Sequence, residues 1–288
     1  MKSVRIGGGT KLVGLIGYPL HHSLSPAMHN AAFAEMGLDW CYLPLPVKPN
    51  SLSEAVAGLR ALGFQGANVT IPYKERVMEF LDTNSEAAQA IGAVNTILVR
   101  GEKLCGHNTD WMGFLRALRE GGFEPSEKTA LVLGAGGAAR AVVYALAREG
   151  ARVVVLNRTP ERAQALVQAL SSFTDASLEA FPLSEVTLAR EVRDVQLLVN
   201  ATPVGMYPET EHSPVPEGLP LPSSLTVFDL VYNPLKTSLV KQAEARGLRT
   251  LGGLGMLVHQ GGEAFRLWTG QEAPVEVMRQ AILAQLVS

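Results

Sequence analysis

Side chains that can move a proton stand in two short motifs of the first half of this 288-residue chain. The stretch "NVTIPYK" carries Lys74, and "GHNTD" carries Asp110. An ammonium and a carboxylate that meet at one site can take up and return a single proton. Burial lowers the pKa of a lysine, whereas a neighbouring carboxylate raises it. Either Lys74 or Asp110 can therefore be the proton carrier, with the other residue positioning the reacting group.

Neutral hydrogen-bonding side chains accompany this pair. "HSLSP" has Ser23 and Ser25 after an apolar run, "NVTIPYK" has Asn68 and Thr70 on one face of a predicted strand, and "AVNTI" has Asn95. Each also has an ordinary structural use, since Ser25 can cap a helix, Thr70 is common in strands and the lysine can be a solvated charge. Together they offer a donor set that suits a polyhydroxylated carboxylic acid.

A glycine-rich turn marks the second half of the chain. "LGAGGAAR" places Gly134, Gly136 and Gly137 between the apolar run "TALVL" and the helical pattern "AARAVVYALAREG". Such glycines allow a tight strand-to-helix turn and the approach of a pyrophosphate to the helix N-terminus. The sequence predicts dinucleotide binding here, and an ordinary turn of an α/β protein is the alternative.

The next strand, "RVVVLN", ends where a dinucleotide-binding fold reads the ribose. An NAD site usually has a carboxylate at this point, but the chain has Asn157, followed by Arg158, Thr159 and Arg162. Two guanidinium groups and two neutral donors suit a 2′-phosphate. NADP is therefore the predicted cofactor, and hydride transfer the predicted chemistry. The alternative is that the two arginines are solvated charges at a helix start.

Apolar runs alternate with helical patterns almost throughout, which favours open parallel sheets covered by helices. Strands are predicted at "LVGLIG", "CYLPLPV", "GANVTI" and "VNTILV", and then at "TALVLG", "RVVVLN", "LLVNAT" and "TVFDLVYN". Ser25 and Pro26 resemble an N-cap and first helical residue. The apolar residues from Leu52 to Leu62 mark one helical face. The polar stretch "EGGFEPSEK" separates the two series of strands and predicts a domain boundary, and two helices end the chain.

Composition limits the functional classes. The chain has 47% hydrophobic and 18% charged residues and a net charge of −2, which excludes a disordered chain and gives no indication of nucleic-acid binding. Its two cysteines are too few for a disulfide framework or a cysteine-based metal site. No signal peptide or membrane-length apolar run is present. We expect a cytoplasmic protein without a metal site that binds neither membranes nor nucleic acid.

Ten motifs in order resemble the shikimate dehydrogenases and cover nearly the whole chain. Beyond those quoted above, they include "NTDW", "NRT", "NATPVGM", "DLVYNP", "GGLGML" and "QGGEAFRLWTG". The resemblance implies reversible NADP-dependent oxidation of the shikimate 3-hydroxyl to 3-dehydroshikimate, in aromatic amino-acid biosynthesis. It implies an α/β fold of two domains with a cleft between them. Residues 1–110 would form an open α/β substrate domain, 111–248 a Rossmann-like, doubly wound parallel sheet, and 249–288 C-terminal helices that return to the first domain.

The resemblance also assigns site residues. Lys74 and Asp110 would be the catalytic pair. The substrate would be held by Ser23, Ser25, Asn68, Thr70, Asn95, Tyr232 and Gln260. The cofactor would contact Gly134, Ala135, Gly136, Gly137, Ala138, Asn157, Arg158, Thr159, Arg162, Thr202, Val231, Gly253 and Met256.

Three alternatives stay open at this stage. Leu24 and Trp111 stand where the family commonly has lysine and glycine, so an enzyme that also oxidises quinate remains possible. A module that senses NADP or a shikimate-like acid without turnover would be expected to lack the lysine or the aspartate. A reductase of an unrelated substrate would leave the first-domain motifs unexplained. A monomer or a homodimer is expected.

Overall fold

The computed structural model describes residues 6–286 of the chain. Its contacts divide the chain into two units. The first ends at Thr109 and resumes at Val258, and the second is Asp110–Leu257. Residues 1–5 and 287–288, which the predicted outer domain bounds include, lie outside the described residues.

The strands are β1 (Lys11–Gly17), β2 (Trp40–Pro46), β3 (Gly66–Val69), β4 (Thr83–Asn84), β5 (Thr96–Arg100), β6 (Lys103–His107), β7 (Thr129–Leu133), β8 (Arg152–Asn157), β9 (Leu178–Pro182), β10 (Leu197–Asn200), β11 (Thr226–Asp229) and β12 (Arg249–Gly252). The helices are α1 (Ser25–Glu35), α2 (Leu52–Ala61), α3 (Glu86–Ile91), α4 (Asp110–Glu120), α5 (Gly137–Arg148), α6 (Pro160–Ser171), α7 (Glu185–Glu191), α8 (Ser238–Glu244), α9 (Leu254–Thr269) and α10 (Val275–Leu286). None of these helices is both long and apolar enough to cross a membrane.

The first unit contains a mixed sheet with strand order β2-β1-β3-β5-β6-β4. Strands β2, β1 and β3 are parallel, as predicted, but β5 runs antiparallel to both β3 and β6. The tight turn at Gly101, whose φ of 58° suits a hairpin, makes β5 antiparallel to β6, because two strands joined by such a turn must be antiparallel. The expectation of a parallel sheet therefore does not extend to this half.

The second unit contains a fully parallel sheet with strand order β12-β11-β10-β7-β8-β9. Side chains of β8 alternate between two cores, with Val153 and Val155 in one and Val154 and Leu156 in the other. Residues of α5 and α6 join the first of these cores, and residues of α7 and α8 join the second. Helices thus cover both faces, which confirms the predicted doubly wound, Rossmann-like sheet.

The units divide the chain one residue before the predicted bound at 110/111 and nine residues after the predicted bound at 248/249. Helix α4 precedes "EGGFEPSEK", and its Phe114 and Leu118 pack in one core with Val142 and Leu146 of α5. The division therefore falls before α4, and the polar stretch is a loop within the second unit. Residues 249–252 form β12, which pairs with β11 rather than with the first unit. The C-terminal helices do return to the first unit from Val258 onward, and α10 packs on α1.

The apolar face of α2 is shorter than predicted. Leu52, Val56 and Leu59 are buried in the core of the first unit, but Leu62 is 72% exposed. The helix ends at Ala61, so Leu62 is its C-cap residue and no longer follows the helical spacing.

Candidate active site

The topology of the first sheet brings the predicted substrate residues to one edge. Strand β3 ends at Val69, directly before Thr70. Because β5 is antiparallel to β3, its first residue, Thr96, pairs with Asn68 and also with His107, the last residue of β6. Asn95 therefore lies at the edge where β3 and β6 end.

Asn95 is the centre of a buried hydrogen-bond network at this edge. Its Oδ1 accepts a bond of 2.7 Å from the Thr109 N–H, and its Nδ2 donates to Thr109 Oγ1 at 2.9 Å. The same Nδ2 lies 3.2 Å from Gln260 Oε1, which belongs to α9. Two residues predicted at the substrate site, 165 positions apart, are therefore in contact.

Asn68 extends the network toward β2. Its Nδ2 donates to the Asn95 carbonyl at 3.1 Å and to Thr96 Oγ1 at 3.0 Å, and its Oδ1 accepts from the Tyr42 hydroxyl at 2.9 Å. Asn68, Asn95 and Tyr42 are each at most 6% exposed. The hydrogen bonds fix both amide orientations, because each acceptor and donor has its own partner.

Ser25 does not cap α1, contrary to the prediction. The N-cap is Leu24, without a side-chain capping bond, and Ser25 is the first helical residue with proline after it. The Ser25 side chain instead forms a hydrogen bond with Tyr42. Ser23 Oγ accepts a long bond of 3.4 Å from the Ser25 N–H. The two serines thus lie close together at the helix start.

Thr70 and Lys74 follow β3 in the chain. The Thr70 N–H donates to the Ile16 carbonyl at 2.9 Å, and the two segments are so close that a Cβ on Gly17 would lie 2.4 Å from Thr70 Cγ2. Lys74 is half-buried, and its carbonyl accepts from the Val94 N–H at 2.7 Å. This bond holds the lysine main chain beside the segment that leads to Asn95.

Asp110 begins the second unit. It is buried, opens α4, and directly follows Thr109, whose bonds to Asn95 were described above. The chain therefore leaves the Asn95 network one residue before this carboxylate.

The glycine turn of the second unit joins β7 to α5. Gly134 has a φ of 109°, and a Cβ there would lie 3.0 Å from the Ala201 carbonyl oxygen, so only glycine fits. Gly136 is the N-cap of α5, with an ordinary φ of −87°, and a Cβ on it would meet no atom within 4 Å. Open space beside the N-terminus of a 12-residue helix is what a pyrophosphate requires. Gly137 is the first residue of α5, Ala135 lies between Gly134 and Gly136, and Ala138 follows Gly137.

The end of β8 has the features predicted for a 2′-phosphate site. Asn157 is the last residue of the strand, and its Nδ2 donates to the Thr159 carbonyl at 2.9 Å, which tightens the turn into α6. Arg158, Thr159 and Arg162 are all exposed around this turn. The residues present therefore fit a dinucleotide that carries an additional phosphate.

Buried polar side chains position the loops after β10 and β11. Asn200 Oδ1 accepts from the Thr202 N–H at 3.0 Å, and Asn200 Nδ2 donates to Asp229 Oδ1 at 2.9 Å. Asp229 Oδ1 also accepts from the Val231 N–H at 3.1 Å. Burial raises the pKa of Asp229, and three hydrogen bonds to its carboxyl group partly oppose that shift.

The remaining residues predicted at the substrate and cofactor sites lie near Val231, in the loop after β11, or in the core of the second unit. The Gly253 N–H donates to the Val231 carbonyl at 3.3 Å, and a Cβ on Gly253 would overlap the Leu230 carbonyl. Burial raises the pKa of Tyr232. Met256 is 7% exposed and packs in the core of the second unit.

Five polar residues of these networks were not expected from the sequence: Tyr42, Thr96, Thr109, Asn200 and Asp229. All but Tyr42 stand in quoted motifs, which are "AVNTI", "GHNTD", "NATPVGM" and "DLVYNP", so the motifs were a usable signal. Tyr42 stands in the apolar run "CYLPLPV", where a tyrosine is an ordinary strand residue. Nothing in its local sequence distinguishes it.

Comparison with known protein families gives three matches along the chain. Residues 15–97 match the family described as shikimate dehydrogenase substrate binding domain, and residues 117–207 match shikimate / quinate 5-dehydrogenase. Residues 253–283 match the shikimate 5′-dehydrogenase C-terminal domain.

Individual relatives match over the full length. The chain is 51% identical to a protein of Methanopyrus kandleri named shikimate dehydrogenase (NADP(+)), over 99% of both chains. A crystal structure of a shikimate dehydrogenase in complex with NADP+ is 40% identical, with a TM-score of 0.92 and 100% of both chains covered. The Thermus thermophilus enzyme in complex with NADP(H) and shikimate is 42% identical, with a TM-score of 0.86 and 96% and 99% of the chains covered.

Proposed function

Since the chain belongs to the shikimate dehydrogenase family, we propose that it catalyses the reversible NADP-dependent oxidation of shikimate to 3-dehydroshikimate. This reaction belongs to the biosynthesis of aromatic amino acids. The observation that carries the proposal is the hydrogen-bond network of the buried Asn68 and Asn95 with the half-buried Gln260 at one edge of the first sheet. Such a set of fixed, neutral hydrogen-bonding groups suits a ligand with several hydroxyl groups.

The substrate is assigned to side chains of the first sheet edge, together with Tyr232. Ser23 and Ser25 offer two hydroxyl groups for the substrate carboxylate, while Asn68, Thr70, Asn95 and Gln260 bind its hydroxyl groups. Fixed amides suit this task because their rotamers are already ordered before the ligand arrives, which lowers the entropic cost of binding.

Lys74 and Asp110 are assigned to proton transfer. As hydride leaves the alcohol carbon, the hydroxyl proton passes to one of these two side chains, and the same group returns it in the reverse reaction. The other residue positions the hydroxyl through a charge-assisted hydrogen bond. Bound NADP supplies the hydride acceptor.

The cofactor is assigned to the second unit. Gly134–Ala138 and the N-terminus of α5 hold the pyrophosphate, and Asn157, Arg158, Thr159 and Arg162 hold the 2′-phosphate. Thr202, Val231 and Gly253 hold the nicotinamide end, and Asn200 and Asp229 fix the loops that carry Thr202 and Val231. Met256, which packs in the core of the second unit, completes the set of proposed cofactor residues.

A broader activity on quinate is the second candidate, because residues 117–207 match a family that includes quinate dehydrogenases. A sensing module is disfavoured because both Lys74 and Asp110 are present. We further propose that the enzyme works in the cytoplasm as a monomer or homodimer. Cys41 and Cys105 are free thiols, which is compatible with a reducing compartment.

A steady-state assay with shikimate or quinate, each with NADP or NAD, tests the proposal. We expect the highest kcat/KM for shikimate with NADP.

Arg158→Ala should lower the preference for NADP over NAD by roughly tenfold or more, because it removes a charged hydrogen bond to the 2′-phosphate. Arg193→Ala, which removes another exposed arginine of the second unit, is the matched control and should leave the preference unchanged. Equal use of NAD and NADP by the wild type would contradict the cofactor assignment, and absence of shikimate oxidation would contradict the function.

A further inference from the structure

Tyr42 connects two of the segments that carry the proposed substrate residues. Its hydroxyl donates to Asn68 Oδ1 at 2.9 Å and is also hydrogen-bonded to the Ser25 side chain. Asn68 lies in β3, whereas Ser25 is the first residue of α1. A single buried hydroxyl thus contacts side chains from a strand and a helix that are 43 positions apart in the sequence.

Helix α1 holds Tyr42 at three points. Ser25 and His29 lie on one face of the helix, since they are four residues apart, and Asn30 follows His29 directly. The Asn30 side chain donates to the Tyr42 carbonyl at 3.0 Å and accepts from the Tyr42 N–H at 2.8 Å. The His29 ring stacks on the Tyr42 ring, with centroids 4.5 Å apart and planes only 6° from parallel.

The ring is also enclosed on another side. The Trp268 ring of α9 lies 6.1 Å from the Tyr42 ring at an angle of 52°, and its Nε1 donates to the Ile97 carbonyl at 3.0 Å. Tyr42 is 1% exposed. Its main chain, ring and hydroxyl are therefore each fixed by a different contact, which leaves the hydroxyl little freedom of position.

From this arrangement we propose that Tyr42 is a positioning residue for shikimate, acting through Asn68 and Ser25. Its hydroxyl satisfies one lone pair of Asn68 Oδ1, while both Nδ2 hydrogens of Asn68 are taken up by Asn95 and Thr96. The remaining lone pair of Oδ1 is then directed, as an acceptor, at a substrate hydroxyl. The inference rests on the proposed function, because Asn68 and Ser25 are assigned to the substrate there.

The test is Tyr42→Phe, which removes the hydroxyl and keeps the ring stacked on His29. We expect the KM for shikimate to rise roughly tenfold, as for the loss of one buried hydrogen bond, with an unchanged KM for NADP. The same substitution should have a much smaller effect in an Asn68→Ala background, because Tyr42 acts through Asn68.

Tyr73→Phe is the matched control. Tyr73 is also buried in the first unit, and its hydroxyl donates to the Val47 carbonyl, which is not assigned to the substrate. Both variants should lower the melting temperature, but only Tyr42→Phe should raise the KM for shikimate. An equal rise in both would mean that the effect is a general loss of stability, and it would overturn the inference.

Asn30→Ala provides a second variant that leaves the Tyr42 side chain intact. It removes both bonds to the Tyr42 main chain, so it should also raise the KM for shikimate and not that for NADP. An unchanged KM for shikimate in whichever of the two variants folds would overturn the inference. Failure of the proposed function is a distinct result, since the wild type would then not oxidise shikimate at all.

Discussion

His29 is the residue whose burial has the clearest consequence for stability. It is fully buried, and neither ring nitrogen has a hydrogen-bond partner among residues 6–286. Burial lowers its pKa from 6.5 to about 3, so the imidazole is neutral in the folded protein. In the unfolded chain the same ring becomes protonated below about pH 6.5. The contribution of the neutral His29 to the free energy of unfolding is therefore fully present above about pH 6.5. It is lost progressively as the pH falls from there toward 3.

His29→Phe should remove this acid sensitivity and keep an aromatic ring against Tyr42. Between pH 7 and pH 5 the wild type should lose about 2 kcal/mol more free energy of unfolding than the variant. Urea unfolding at both pH values measures the difference. His21→Phe, at an exposed histidine of the same unit, should keep the wild-type dependence. If His29→Phe lost as much stability as the wild type, a neutral buried His29 would be ruled out.

At the scale of single elements, the two glycines around Ala135 have different tasks. Gly134 needs its positive φ and its close approach to Ala201, so Gly134→Ala should destabilise the fold by roughly 1–3 kcal/mol. Gly136 has neither requirement, and Gly136→Ala should leave the melting temperature unchanged. It should nevertheless raise the KM for NADP roughly tenfold or more, because its methyl group enters the space assigned to the pyrophosphate. A stable Gly136→Ala enzyme with normal NADP kinetics would remove the pyrophosphate from this turn.

Elements with a continuous apolar run were predictable from sequence. "RVVVLN" is β8 residue for residue, and "TALVLG" extends only one residue beyond β7, since buried parallel strands are apolar on both faces. No prediction was made for β6, β9 or β12. Their burial is partial, and in "KLCGH" and "RTLG" charged residues and glycines hide the strand pattern. The antiparallel direction of β5 depended on the two-residue hairpin turn between Arg100 and Lys103, which the apolar pattern does not encode.

Site residues that belong to short sequence motifs were predictable, whereas contacts that arise only from packing in the fold were less so. The bond between Asn95 and Gln260 joins positions that only the fold brings together, although the family resemblance had assigned both to the substrate. The Tyr42 bonds to Ser25 and Asn68 were not predictable at all, because they depend on the packing of α1 against β2. The predicted N-cap role of Ser25 was wrong, since the helix includes Ser25 as its first residue and Leu24 is the N-cap.

At the scale of the whole molecule, the proposed reaction draws on both units. Lys74 belongs to the first unit and Asp110 to the second, and the second unit also carries the cofactor residues. For the proposed proton transfer, Lys74 and Asp110 must serve the same substrate hydroxyl. Two residues that serve the same hydroxyl should be kinetically coupled, so that the losses of turnover on replacing Lys74 and Asp110 are not additive.

A double-mutant cycle with Lys74→Ala, Asp110→Ala and the combined variant is the most direct test. Turnover is measured at saturating shikimate and NADP, with folding checked by circular dichroism, and Lys103→Ala serves as a control at an exposed lysine of the first unit. Loss of a positioned proton-transfer group should lower turnover about 10²–10⁴-fold in Lys74→Ala. The combined variant should be little worse than the poorer single variant, because residues that act as a unit give non-additive losses. A folded Lys74→Ala enzyme with near-wild-type turnover, or a combined variant whose losses multiply, would contradict the account.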